Sequence, residues 1–436
     1  MSTNIDSGDK EKASVAVDKH SAEVGEGTVK TTEYESYEKN IDQAEIFLRE
    51  HNYSHQYILH LLADDGARKK LTRRVDLVLM PLLCFTYMLQ FIDKQALGFS
   101  ASFDLFPSTH ITLSQYSWLA SIFYFAYLVA EWPASYLAQK YPTGTIISSF
   151  IIIWGSILLL TAACNSFAGL AVCRFLLGCF EAVITPAFMM IIGMWYARKD
   201  QPARAAVFYC FNGIAQMFAG VLFYGVGQAK NFAVWRIIFL LCGSVTIAWG
   251  VTLAFLLPNN IISAKRFTNE EKAMLIAQGQ QSRTGVYNNT IKIYQIKEAL
   301  RDPQIWLLFS FMLLNEVING GFSNFATLLL KSIAGGNALK STALTIPGGL
   351  IQASFILSAG FLATFFKNIR AILMAAYIVP TMIGVTLLWK LPRSNTSGLL
   401  GGYYIVSHPR LRTTNLPHRT NLLTPYRPSP SQHLSS

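Results

Sequence analysis

The sequence predicts an all-α membrane protein, and three observations carry that prediction: its composition, nine long apolar runs, and the placement of its basic residues. Of 436 residues, 52% are hydrophobic and only 14% are charged, with a mean hydropathy of +0.33. Soluble domains carry about 25% charged residues. A helix needs about 20 apolar residues to cross a bilayer. Nine runs approach or exceed that length, at roughly 75–97, 115–138, 145–163, 168–192, 205–228, 234–257, 304–330, 341–365 and 369–390. The net charge of +11 hides an asymmetry: residues 1–72 hold 14 of the 25 acids, leaving 27 basic side chains against 11 acids in the rest. In a membrane protein such an excess belongs in cytoplasmic loops rather than on nucleic acid. With the N-terminus inside, cytoplasmic segments next to the runs carry 17 Lys and Arg, and the outer ends and loops carry seven. The positive-inside rule therefore places the N-terminus in the cytoplasm.

Residues 1–72 read as a cytoplasmic tail. The first 40 are polar and poor in large apolar side chains, which predicts disorder. Met1 is followed by no apolar core, so no cleavable signal peptide is expected. Ile41, Ala44, Phe47 and Leu48 have helical spacing and predict a short amphipathic helix between Ile41 and Leu62. Residues 73–257 hold six closely spaced runs, a complete first bundle. Residues 258–302 form a basic cytoplasmic linker, in which Thr268-Asn-Glu-Glu271 is a capping box. It predicts a surface helix from Asn269 to about Arg283. Residues 303–406 hold runs seven to nine and the start of a tenth, a partial second bundle. Residues 407–436 carry five Pro, four Arg, three His and no acid, with no stretch able to cross a bilayer. They read as an aberrant, disordered alternative ending.

Two charges interrupt run four, in Arg174-Phe-Leu-Leu-Gly178-Cys-Phe-Glu181-Ala-Val-Ile-Thr185-Pro186. A charge at the bilayer centre costs about 2.5–3.5 kcal/mol on insertion scales. Arg174 and Glu181 are seven residues apart and share a helix face, with Gly178 between them where a helix or a ligand comes close. Two readings stay open: a structural ion pair within a bundle, or a polar pathway for a charged solute. Desolvation favours the neutral form of a carboxylate, so Glu181 is fitted to take up a proton, while Arg174 stays charged and can fork onto a carboxylate. Asp93 and Lys94 close run one, either as a solvated helix end or as functional charges, and Glu131 lies in run two, where an interhelical hydrogen bond is the simpler role.

Further polar residues repeat on helix faces. Tyr87, Gln90 and Asp93 lie three apart, and Tyr209, Asn212 and Gln216 share a face of run five. Asn315, Glu316, Asn319 and Asn324 surround Gly320-Gly321, a pair that permits local unwinding of the kind transporters use at substrate sites. Ordinary interhelical hydrogen bonding is the alternative for each. The six cysteines show no C-x-x-C spacing and read as buried thiols. No P-loop, H-E-x-x-H or G-x-S-x-G occurs, and no His pair falls within a run, so no enzyme, metal site or cofactor is expected.

An ordered series of short motifs spans about residues 45–406. Arg73-Arg-Val-Asp76-Leu-Val-Leu-Met-Pro81 opens run one and Asp93-Lys94 closes it. Glu131-Trp-Pro133 follows in run two. Run four carries Arg174-x-x-x-Gly178-x-x-Glu181-Ala182-x-x-x-Pro186, then Met194-Trp-Tyr196 and Arg204. Run seven has Asn319-Gly-Gly321-x-x-Asn324-Phe325, and run eight has Ile346-Pro347-Gly-Gly349. In this series the chain resembles the major facilitator superfamily, and within it the anion:cation symporter group and its fungal allantoate permease branch. The resemblance implies a fold of two six-helix bundles, here with a complete first bundle and an incomplete second. It implies proton-coupled uptake of a small organic anion such as allantoate, ureidosuccinate or nicotinate, at the plasma membrane, by a monomer. The candidate substrate residues are Lys94, Arg174, Tyr127, Asn319 and Asn324, and the candidate proton-coupling residues are Asp93, Glu181 and Glu131. The chain departs from the family pattern at Gln139-Lys140-Tyr-Pro142-Thr-Gly144, where an Asp and paired Arg usually form a conformational latch. Two other functions fit the sequence: a membrane nutrient sensor that binds without transporting, and a non-functional truncated product of a transporter gene.

Overall fold

The structure, a computed structural model, describes residues 43–51, 53, 57, 64–230, 232–281, 297–298, 300–365 and 370–407. Every element among the described residues is a helix. The disorder expected of residues 1–40, and the tail after Ser407, lie outside the described residues. α1 (Gln43–Glu50) is a two-turn helix with Phe47 buried; it covers the first part of the amphipathic segment expected from Ile41 to Leu62.

Eight of the nine apolar runs each lie on one helix, and run four lies on two. α2 (Asp65–Ser102) is 38 residues long and begins ten residues before run one. The Asp64 side chain caps it, accepting the Gly66 N–H at 2.8 Å, so Arg73 and Arg74 stand on the helix rather than ahead of it. The short α3 (Leu105–Thr109) leads into α4 (Leu113–Lys140), whose N-terminus is a Thr112/Gln115 capping box. α5 (Thr143–Ala163), α6 (Phe167–Glu181), α7 (Ile184–Trp195), α8 (Gln201–Val226) and α9 (Val234–Leu256) complete the first bundle. α10 (Asn269–Gln281) lies in the linker. α11 (Pro303–Ile333), α12 (Ala338–Phe365), α13 (Arg370–Lys390) and α14 (Thr396–Val406) form the second part.

Among the described residues, six stretches are long and apolar enough to cross a membrane: α2, α5, α6 with α7, α8, α9, and residues 338–359 of α12. α4 and α11 also have the length to cross, at 28 and 31 residues. Run four is not one helix. It breaks at Ala182 and Val183, directly after Glu181. Pro186 explains the break, because it lacks the N–H that would bond to the carbonyl of Ala182 and its ring crowds that carbonyl. The unwinding expected at Gly320-Gly321 does not occur; α11 runs unbroken through both glycines.

Glycines set how closely the helices approach. A Cβ on Gly178 would collide with the Phe123 carbonyl of α4, so the neighbour that comes close to the Arg174/Glu181 face is a helix. A Cβ on Gly213 would strike the backbone of Gly349 and Ala353, which brings α8 and α12 into direct backbone contact. This contact joins the first bundle to the second. At the Ser102 end of α2 the junction is polar: Ser102 and Ser341 hydroxyls are 3.1 Å apart, and Tyr116 donates to the Asn324 carbonyl at 2.6 Å.

Asp104 caps a second helix at a distance in sequence, its two carboxylate oxygens accepting the Val234 and Trp235 N–H groups, each at 2.9 Å. The turn between α4 and α5, where the latch motif is absent, is held by Asn259, whose side-chain oxygen accepts the Thr145 N–H at 3.0 Å. The capping box of α10 forms: Thr268 N–H donates to Glu271 at 3.0 Å and Glu271 N–H to the Thr268 hydroxyl at 3.3 Å. This helix is not the surface helix that its sequence suggests. Ala273 to Gln278 are all buried, so it is covered on more than one side. Arg74 ties it to α2, donating to Glu271 at 2.6 Å and to the Arg266 carbonyl at 2.9 Å. Tyr57 donates to Glu270 at 2.8 Å, and that carboxylate holds the phenol proton, raising the Tyr57 pKa above its ordinary value. Cys84, Cys173, Cys210 and Cys242 are buried thiols as expected, whereas Cys164 and Cys179 are half-buried.

Candidate functional site

A cavity of about 160 Å³ lies between the two parts of the molecule. α2 lines it with Tyr87, Gln90 and Lys94, α8 with Tyr209, Asn212 and Gln216, and α11 with Glu316, Asn319 and Asn324. Tyr124 of α4, Gln352 of α12 and Tyr403 of α14 also belong to its polar wall. Helical spacing of polar residues found Tyr87 and Gln90, the α8 group and the α11 group, because residues three and four apart share a face; on α2 it pointed to Asp93, where the wall has Lys94.

Lys94 is the lysine of this wall and Glu316 its carboxylate. The Lys94 ammonium meets Glu181 at 2.9 Å; the Lys94 side chain is 28% exposed and that of Glu181 is 0% exposed. It also lies over the rings of Tyr127 and Phe123, at 5.2 and 5.8 Å from their centroids. Lys94 is therefore held from behind by a carboxylate and from the side by two aromatic faces, with its open side toward the cavity.

The other candidates take different places. Asp93, next to Lys94, is turned about 100° around α2 from it, as adjacent helical residues are, and faces α9. It is fully buried and accepts from Thr246 of α9 at 3.1 Å, with Trp154 and Cys242 close by. Arg174 is buried and does not line the cavity; its guanidinium stacks 5.4 Å over the Phe239 ring. Its Nη2 has no hydrogen-bond partner among the described residues. The close partner of Glu181 is Lys94 rather than Arg174. Seven residues of helix separate Arg174 and Glu181 by about 10 Å along the axis, which is too far for contact although they share a face. Tyr127 supports Lys94 and reaches Thr185 at 3.4 Å, but does not line the cavity. Glu131, one turn further along α4, is half-buried and away from the cavity wall. Asn319 and Asn324 do line it. Asn319 donates to Glu316 at 2.9 Å, and Asn324 donates to the Gly320 carbonyl at 2.8 Å. The side chain of Asn315 lies outside the described set.

Glu316 stood among the polar residues picked out around Gly320-Gly321, whereas Gln352 and Tyr403 had no place among the sequence candidates. Gln352 stands between small and apolar neighbours and carried no pattern. Tyr403 lies in α14, four residues before the sequence loses its membrane character; it is fully buried, accepts from Gln216 at 3.3 Å, and packs on Phe322 at 5.4 Å.

The chain matches the Major Facilitator Superfamily over residues 83–407. An uncharacterized transporter of Schizosaccharomyces pombe is 37% identical over 351 residues, covering 79% of this chain and 67% of that protein. The allantoate permease of Saccharomyces cerevisiae is 31% identical over 306 residues, covering 69% of this chain and 56% of the permease. A high affinity cysteine transporter of the same yeast is 27% identical, covering 76% of this chain and 63% of that protein. The chain spans 61–70% of the length of four S. pombe relatives. In three dimensions it resembles a bacterial homolog of the human lysosomal transporter Spinster in an inward-facing, occupied conformation. That match has a TM-score of 0.54 at 18% identity, covering 76% of this chain and 71% of that one. The proton:xylose symporter XylE has a TM-score of 0.51 at 14% identity, covering 75% of this chain and 78% of XylE. With the helical fold, the cavity between its two parts and these matches, the chain is a multi-pass membrane protein that belongs to the Major Facilitator Superfamily.

Proposed function

We propose that this protein is a proton-coupled symporter that brings a small organic anion into the cell across the plasma membrane, with its N-terminus in the cytoplasm. The observation that carries this reading is the Lys94–Glu181 pair: one cation open to the cavity, held by one carboxylate sealed behind it. While Glu181 is ionised it competes with a substrate carboxylate for Lys94. When Glu181 takes a proton it becomes neutral, and the Lys94 charge is free for the anion. Proton and anion then load together, and loss of the proton returns Lys94 to Glu181 and expels the anion. A buried carboxylate left beside an uncompensated charge is costly, so intermediate states are disfavoured and the two loadings are linked.

In this scheme Asn319, Asn324 and the other cavity amides orient the substrate. Arg174 and Asp93 act from behind the wall: Arg174 adds positive potential near Glu181, and Asp93 is a second buried carboxylate able to hold a proton. Tyr127 keeps Lys94 in place, and Glu131 supports α4. The allantoate permease among the relatives supports this reading. The test is uptake of labelled carboxylic acids by cells lacking their own permeases. The expected result is uptake that rises as external pH falls from about 8 to about 5 and collapses with a protonophore, because protonation of Glu181 frees Lys94. Uptake that is flat across that range and indifferent to the protonophore contradicts proton coupling.

A further inference from the structure

The cavity carries a second charge that an anion site does not need. Glu316 of α11 lines the wall and is half-buried there. Lys94 reaches the same cavity from α2, and the Tyr124 side chain lies in the electrostatic field of both. Asn319 donates to one Glu316 oxygen at 2.9 Å, which orients the carboxylate in the wall. A carboxylate in the wall repels a substrate that is only an anion. It attracts one that also carries an ammonium group or a strongly polarised N–H.

We propose that the cavity selects organic acids that also carry a cationic or N–H donor group, with the substrate carboxylate toward Lys94 and the nitrogen toward Glu316. This rests on the reading of Lys94 as the anion contact, and it adds the second pole. Glu316 is then a specificity-determining residue: it separates amino-bearing acids from plain carboxylic acids of the same size. A charge-assisted hydrogen bond to a desolvated ammonium is worth about a tenfold to hundredfold preference.

The experiment measures equilibrium binding to the purified full chain in lipid nanodiscs. The probes are matched pairs: alanine and propionate, leucine and 4-methylpentanoate, γ-aminobutyrate and butyrate. The proposal expects at least one amino-bearing acid to bind about tenfold or more tightly than its partner. In Glu316→Gln, which keeps the shape and removes the charge, that ratio falls to about one while the plain acid binds as well as before or better. Equal binding within every pair by the wild-type chain overturns the proposal, and so does a wild-type ratio that persists in Glu316→Gln. If Glu316→Gln binds neither acid, Glu316→Asp decides: a retained preference supports the carboxylate as reader, and a lost one with plain-acid binding intact overturns it. Lys94→Gln separates this inference from the reading beneath it. Loss of both members of a pair supports Lys94 as the shared anion contact. If Lys94→Gln binds plain acids normally, the anion reading fails even where the Glu316 ratio stands.

Discussion

The first bundle and the second part of the molecule both show polar residues to the cavity, but they treat their charged residues differently. The first hides charge: Asp93, Arg174 and Glu181 are all buried away from the cavity, and Lys94 alone of these four reaches its wall. The second displays its polar groups, with Glu316, Asn319 and Asn324 on the cavity wall itself. The difference suggests a division of labour. Groups that exchange protons gain from being sealed, because a low dielectric strengthens each charge–charge interaction. Groups that recognise a substrate must touch it. Lys94 belongs to both sets and is the link between them.

The sharpest way to break this comparison is at the link. Lys94→Gln is expected to reduce substrate binding by about a hundredfold or more, since it removes the anion contact and leaves Glu181 buried without its partner, a change worth about 3–5 kcal/mol. Binding by the variant within a few-fold of wild type would show that the second part recognises the anion unaided. A second test bears on how the two parts meet. Gly213→Val inserts side-chain atoms into backbone contact between α8 and α12. Overpacking of this kind costs about 1–3 kcal/mol, and thermal denaturation of the purified protein should show a lowered midpoint. An unchanged midpoint would mean that the two helices separate without cost.

Arg174 sharpens the comparison further. From its sequence alone it is a forked anion contact, and Arg174→Lys should then abolish uptake. Its observed place, stacked over Phe239 and away from the cavity, predicts a milder result: Arg174→Lys keeps the charge and should retain uptake within about tenfold. Complete loss of uptake with normal membrane delivery would restore the forked contact. The smallest effect is expected at Asp104, which lies outside the contrast between hidden and displayed charge. Asp104→Ala removes the cap of α9 and should cost about 0.5–2 kcal/mol of stability, read from the same denaturation curves, with substrate affinity unchanged.

The fold was legible because apolar length and charge placement are local signals; each predicted run became helical, run four as two helices. Charged residues within those runs marked the buried network for the same reason, since a charge in an apolar helix has few innocent explanations. Orientation around the helix was less legible. Asp93 and Lys94 are neighbours in sequence and about 100° apart around α2, and the packing of α9 against α2 decides which one faces the cavity. The break in run four was written in Pro186, whereas the Gly320-Gly321 pair marked a break that packing does not impose. Glycine permits unwinding without requiring it, and proline removes a hydrogen bond outright. Burial of α10 was invisible because it depends on segments far away in sequence.

The most direct test of the account is the pH dependence of substrate affinity in the wild-type protein and in Glu181→Gln, measured on purified protein from about pH 5 to pH 8. Wild-type affinity should rise as pH falls, because protonation of Glu181 frees Lys94. Glu181→Gln mimics the protonated state permanently, so its affinity should be high and flat across the range. A variant that keeps the wild-type slope, or that binds no substrate at low pH where the wild type binds well, would contradict the linkage between Glu181 and Lys94.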